Sequence, residues 1–173
     1  LDGMVVSDRH IPAADLIAPR IEPEIGFVLE ESLTPPVSPL DVLSATRAVL
    51  PVAEVIDSRI EDWNIQIEDT IADNASSALI VPGESLSIGT DIDLSMEGVK
   101  LFKNGRLESS GIGANVLEHP SKAVAWLANT ISEMGDSLEA GELVLSGSFV
   151  PATDIQAGDV IELRFTTLGS ATM

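Results

Sequence analysis

Residues 20–29 read RIEPEIGFVL, and their alternation decides the fold class. Ile21, Ile25, Phe27 and Leu29 fall on one side of an extended chain, and Glu22, Glu24 and Gly26 fall on the other. A period of two with one apolar side predicts a half-buried β-strand. Pro23 has no N–H to offer a ladder, so the strand is expected at a sheet edge or with a bulge at that point.

Outward from this strand, short segments alternate with Pro and Gly. Ser38-Pro39 followed by Leu40, Leu43 and Val49 predicts a capped helix that stops before Pro51. Residues 52–57 (VAEVID) read as a short buried strand. Residues 99–107 centre on Asn104-Gly105, the strongest hairpin signal in the chain. Residues 120–134 form the clearest helix, with Val124, Leu127 and Ile131 as its apolar stripe and Gly135 closing it. Residues 142–146 and 160–165 are strands, each entered through a Gly-acid turn, Gly141-Glu142 and Gly158-Asp159. There is no internal repeat at solenoid periods. The order is neither βαβ repetition nor a helical bundle, so the expectation is a mixed α+β, mainly β, single domain over residues 1–173.

Composition narrows the function. In 173 residues, 45% are hydrophobic, enough for a sizeable core. No apolar run approaches the roughly 20 residues that span a bilayer. Asp and Glu number 28 against 9 Lys and Arg, a net charge of −19, which repels phosphate and argues against nucleic-acid or anionic-membrane partners. A cytoplasmic location is expected. There is no cysteine, which excludes disulfides, zinc–thiolate sites and thiol nucleophiles. The two histidines, His10 and His119, lie far apart, so any metal must be held by carboxylates. The chain opens on Leu1 without a basic stretch ahead of an apolar one, so no signal peptide is expected, whereas residues upstream of Leu1 are.

Three groups of residues could carry chemistry. Glu22 and Glu24 share a strand face, with Cα atoms about 7 Å apart. Two carboxylates held together repel unless a cation lies between them, and an all-oxygen site suits Mg²⁺ or Mn²⁺. The competing reading is a solvated strand face. Glu54 strengthens the metal reading, because it lies among Val52, Ala53, Val55 and Ile56, where an unpaired carboxylate is costly. Its competing reading is a salt bridge to Arg20, Arg47 or Arg59. The second group is the loop of residues 69–77 (DTIADNASS), either a site rich in hydrogen-bonding groups or a capping loop in which Asp73 and Asn74 satisfy backbone donors. The third is residues 145–149 (LSGSF), where Gly147 N–H and the Ser148 hydroxyl could hold a carboxylate, or where Gly147 merely forms a bulge. His119 ahead of Pro120 reads as packing, and Trp63 and Trp126 as core anchors. No Gly-rich phosphate loop or Ser/His/Asp triad is present.

Five stretches taken together resemble the fumarylacetoacetate hydrolase superfamily. They are RIEPEIGFVL, LPVAEVIDSRIEDWNIQIEDTIADNASS at 50–77, HPSKAVAWLANTISEMG at 119–135, AGELVLSGSF at 140–149 and AGDVIELRF at 157–165. The long run within residues 50–77 is similar to the 2-keto-4-pentenoate hydratase branch, also called 2-hydroxypenta-2,4-dienoate hydratase, and to the allied 4-oxalocrotonate decarboxylases. Asp62-Trp63 and the SGSF stretch look closer to the hydratases. The resemblance implies a β-roll or barrel with a few peripheral helices, and a homo-oligomer. It maps the family's divalent-metal ligands onto Glu22, Glu24 and Glu54. It draws the pocket from Asp73, Asn74 and Ser76 as catalytic residues and from Gly147 and Ser148 as substrate-binding residues. It also implies an N-terminal portion ahead of Leu1, with a Gly-x-Lys-type segment whose lysine contributes acid–base chemistry.

The implied substrate is a short unsaturated 2-hydroxy or 2-oxo acid from the lower part of aromatic catabolism. Its C1 carboxylate and C2 oxygen would chelate the metal, and water would add at C4 to give a 4-hydroxy-2-oxo acid. Asp73 is the expected proton carrier of this chain. Two other readings stay open. One is a decarboxylase acting on a dicarboxylic substrate, with Arg20 or Arg59 meeting the second carboxylate. The other is a truncated, non-catalytic metal-binding module of the same fold.

Overall fold

The computed structural model describes residues 4–6, 9–83 and 92–173. Among the described residues, nine strands form two sheets: β1 (Pro19–Leu29), β2 (Thr46–Asp57), β3 (Ser77–Pro82), β4 (Gly98–Lys103), β5 (Arg106–Ile112), β6 (Leu143–Leu145), β7 (Thr153–Asp154), β8 (Ile161–Phe165) and β9 (Ser170–Thr172). The first sheet runs β3-β2-β1-β6 with β7 also pairing β1, and the second runs β5-β4-β8-β9. Every named pairing is antiparallel. The α-helices among the described residues are α1 (Pro39–Ala45), α2 (Ile67–Ala72) and α3 (Pro120–Ser132). The mixed, mainly β expectation holds.

The alternation of β1 is the reason the sheets close on one core. Ile21, Ile25, Phe27 and Leu29 are buried and join Val49, Ala53 and Val55 of β2 against Val99, Leu101, Ile161, Leu163 and Phe165 of the second sheet. Phe149 meets Phe165 edge to face, with centroids 6.0 Å apart, a favoured aromatic geometry. Helices α1 and α3 extend this core through Val42, Ala45, Val124 and Ala128. The outward residues of β1, Glu22 and Glu24 among them, are left on the opposite face of the sheet.

Four local expectations need correction. Strand β1 is central, with β2 on one flank and β6 and β7 on the other. Pro23 is tolerated because it sits between the β7 pairs at Arg20 and Ile21 and the β6 pairs at Gly26 to Val28, where no ladder donor is required. Its carbonyl there accepts the Phe149 N–H at 3.3 Å. The register shift against β2 falls at Val28/Leu29, away from Pro23.

Helix α1 ends at Ala45, six residues short of Pro51, and Val49 is a strand residue opposite Phe27. The start is as expected: Ser38 and Asp41 form a reciprocal capping box. Beyond Ala45 the apolar run gains more from pairing along β1 than from another helical turn. The expected short strand at 52–57 is therefore the second half of a twelve-residue β2. Pro51 is accommodated within it because it lies beyond the last β3 pair, its carbonyl accepting Gly83 N–H at 2.8 Å.

Neither tryptophan anchors the core. Trp126 on α3 is 64% exposed, and Trp63 is half-buried at a cavity wall. The fourth correction is to the loop of residues 69–77, whose first part is the C-terminal half of α2, with Gln66 and Asp69 forming its cap. The hairpin at Asn104-Gly105 forms as expected, with φ of 53° and 77° at its two turn residues. His119 is the N-cap of α3, its Nδ1 accepting the Ser121 N–H at 3.2 Å, a structural position.

Candidate active site

Glu22 of β1 and Glu54 of β2 are direct partners in the antiparallel register, and Glu24 lies two residues further along β1 on the same face. The two-residue period thus places three carboxylates from two adjacent strands side by side, with one oxygen from each inside a span of 4.8 Å. Glu24 is buried, and Glu22 and Glu54 are half-buried. Two of the three expected alternative partners are engaged elsewhere, and the third, Arg47, is exposed. Arg20 Nε contacts Asp154 Oδ1 at 2.7 Å, and Arg59 Nη1 contacts Asp73 Oδ2 at 3.2 Å. Among the described residues, no ion pair involves any of the three glutamates.

The electrostatics follow from that crowding. Burial, then the charge of Glu54, push the Glu22 carboxyl up from 4.5 to about 7, against a smaller downward pull from Arg20. Burial and Glu54 likewise hold Glu24 well above the usual carboxylate range, opposed by the Gly147 N–H. Glu22 and Glu24 thus resist ionisation in this setting, and a cation favours their charged forms. All donors are hard oxygens on a partly open face, which fits a divalent ion that keeps positions for water and substrate.

Two supports fix the carboxylates. Gly147 N–H donates to Glu24 Oε2 at 2.7 Å, and Ser77 Oγ donates to Glu54 Oε1 at 2.5 Å. Ser146 fastens the first support. Its Oγ accepts the Ile25 N–H at 3.2 Å and donates to the Gly147 carbonyl at 3.0 Å, tying the end of β6 to β1 beside Glu24. Gly147 adopts φ of 91°, a conformation that favours glycine.

The other expected site residues are placed as follows. Asp73 caps the C-terminus of α2, and its carboxylate faces Arg59. Asn74, Ala75 and Ser76 follow at φ of 52°, 55° and 57°, three consecutive non-glycine residues in the left-handed region. Ser76 is buried, and the segment leads directly into Ser77 at the start of β3, which brings it to Glu54. Ser148 is turned into its own loop, with Oγ donating to the Val150 carbonyl at 2.7 Å. The carboxylate that Gly147 holds is that of Glu24. Ser77 and Ser146 were not singled out from sequence; each directly adjoins a residue that was, and strand direction alone distinguishes them.

The matched family is decisive at this point, because the fumarylacetoacetate hydrolase C-terminal family covers residues 4–173. The chain belongs to that family. Among its relatives is the 2-hydroxyhexa-2,4-dienoate hydratase of Comamonas testosteroni, 43% identical over 173 residues, which are 99% of this chain and 64% of that protein. The 2-keto-4-pentenoate hydratase of Paraburkholderia xenovorans (strain LB400) is 44% identical over 171 residues, 98% of this chain and 64% of that protein. The solved 4-oxalocrotonate decarboxylase from Pseudomonas putida G7, complexed with magnesium and adipate, superposes with a TM-score of 0.89 at 38% identity. That match covers 92% of this chain and 61% of that one. The chain therefore spans just under two thirds of the length of these relatives. Their names carry the hydratase and decarboxylase branch that residues 50–77 led us to expect. Among the described residues, no helix is long and apolar enough to cross a membrane.

Proposed function

We propose that this chain forms the metal-binding catalytic domain of a hydratase that adds water to 2-hydroxypenta-2,4-dienoate, giving 4-hydroxy-2-oxopentanoate in aromatic catabolism. The observation that carries the reading is the cluster of Glu22, Glu24 and Glu54 within 4.8 Å, in a chain whose relatives include named dienoate hydratases. These three residues hold the cation, Mg²⁺ or Mn²⁺. When bound, that ion supplies Lewis-acid polarisation of the substrate's C2 oxygen.

The chain's own groups do the rest. Gly147 N–H and Ser77 Oγ keep Glu24 and Glu54 aimed at one point, so little reorganisation accompanies binding. Gly147 and Ser148 are the substrate-binding residues of this reading, placed beside the head-group site by the Gly147 N–H bond to Glu24. Asp73 is the proton carrier, with Asn74 and Ser76 beside it as hydrogen-bonding groups. Ketonisation removes a proton from the 2-hydroxyl and adds one at C5. Water then places its oxygen on C4 while C3 gains a proton. Arg59 orients the Asp73 carboxylate for these transfers through the 3.2 Å contact. No covalent enzyme intermediate is required, in keeping with a chain that has no cysteine. The reading places the protein in the cytoplasm as a homo-oligomer.

A decarboxylase is the second reading, favoured by the close superposition on the Pseudomonas putida G7 structure. Both share the head-group site, which oxalate tests. Oxalate should bind in the presence of Mg²⁺ and far more tightly than acetate, because only oxalate presents two adjacent chelating oxygens. Oxalate binding that persists after chelation of the metal would refute the reading.

A further inference from the structure

Arg20 lies on the face of β1 that carries Glu22 and Glu24, two residues before the first glutamate. It lines a cavity of about 540 Å³ with Ile17, Asp62, Trp63, Asp154 and Ile155 among the other walls. Two contacts fix the arginine there, and a third fixes the indole beneath it. Arg20 Nε donates to Asp154 Oδ1 at 2.7 Å, its guanidinium lies 4.4 Å from the Trp63 ring centroid, and Trp63 Nε1 donates to the Ala18 carbonyl at 3.0 Å. The pairing of β1 with β7, which sets Arg20 opposite Asp154, builds this arrangement into the sheet.

We propose that this cavity receives the tail of the substrate, the end remote from the carboxylate and 2-oxygen, and that Asp154 makes it a site for an uncharged tail. The proposal rests on the reading of Glu22, Glu24 and Glu54 as the head-group site. Along a strand, two residues span about 7 Å, the reach of a short acid chain lying from the glutamates toward Arg20. The charged residues lining the cavity are Arg20, Asp62 and Asp154, two carboxylates against one guanidinium. A second substrate carboxylate would meet that net negative charge and an arginine already paired. An apolar tail meets the indole of Trp63 and the side chains of Ile17 and Ile155. Asp154 is thus a specificity-determining residue that separates monocarboxylic from dicarboxylic substrates.

Three acids sharing one head test this: pyruvate, 2-oxohexanoate and 2-oxohexanedioate. Each is titrated into magnesium-loaded protein and followed by calorimetry and by the indole N–H resonance of Trp63, assigned with Trp126→Phe. The expected result is that 2-oxohexanoate binds about tenfold more tightly than 2-oxohexanedioate. It should also shift the Trp63 resonance where pyruvate does not. Asp154→Asn should close the gap by strengthening the dicarboxylate alone. Equal affinities in the unaltered protein, or a gap that Asp154→Asn leaves intact, overturns the proposal. Failure of pyruvate to bind would contradict the head-group reading instead. The cavity is then judged with hexanoate: a shifted Trp63 resonance supports the tail site, and an unmoved one overturns it.

Discussion

Glu22 and Glu54 face each other across the β1–β2 ladder, a like-charge cross-strand pair at the middle of a sheet. Like charges directly opposite destabilise a sheet pair, so this register is a cost unless a cation offsets it. Burial first, and then the charge of Glu54 opposite, raise the Glu22 carboxyl from 4.5 to about 7.

A pH dependence follows. Between 4.5 and about 7 the folded metal-free protein holds a proton on Glu22 that the unfolded chain has released. The Glu22 contribution is therefore fully present below 4.5 and is lost as pH rises through about 7. Glu22→Gln removes the penalty. Without metal it should be more stable than the unaltered protein at pH 8 by roughly 1–3 kcal/mol, a figure reduced for partial exposure, with the difference shrinking toward pH 5. Urea unfolding at the two pH values measures this; a difference independent of pH would contradict it.

Ser77→Ala should leave the fold intact and weaken metal binding about tenfold or more, since it removes the hydroxyl that orients Glu54. Thermal unfolding and a magnesium titration together separate the two effects. An unchanged affinity would show that Ser77 does not position the ligand.

Glu97 is a buried carboxylate with a purely structural task. It accepts the Thr167 N–H at 2.8 Å, the Leu168 N–H at 3.2 Å and the Thr167 hydroxyl, pinning the turn between β8 and β9. Glu97→Ala leaves the buried Leu168 N–H and the part-buried Thr167 donors without their acceptor and should cost about 1–3 kcal/mol of stability. Denaturant unfolding should register that loss with no change in metal affinity.

How much of this was legible in sequence depends on range. The alternation of residues 20–29, the Ser38 cap, the Asn104-Gly105 turn and α3 are local signals, and each appears in the structure. So does the proximity of the three glutamates, because a period of two fixes the face of each. What was missed is non-local. Pro23 looked like an edge residue because the gap between β6 and β7 is created by segments some 120 or more residues away. Helix α1 stops early because β1 claims Val49 as a partner. Trp63 looked like a core residue, yet its position is decided by Arg20 and Ala18. The pairing of Arg20 with Asp154 depends on β7, a two-residue strand with no signature of its own.

The central claim is that Glu22, Glu24 and Glu54 form one divalent-metal site. Calorimetric titration of Mg²⁺ or Mn²⁺ into the chelator-treated 173-residue chain tests it most directly, alongside Glu54→Ala. The account predicts one saturable site per chain, with protons released on binding and heat abolished in Glu54→Ala. Metal affinity in that variant equal to that of the unaltered chain would contradict it.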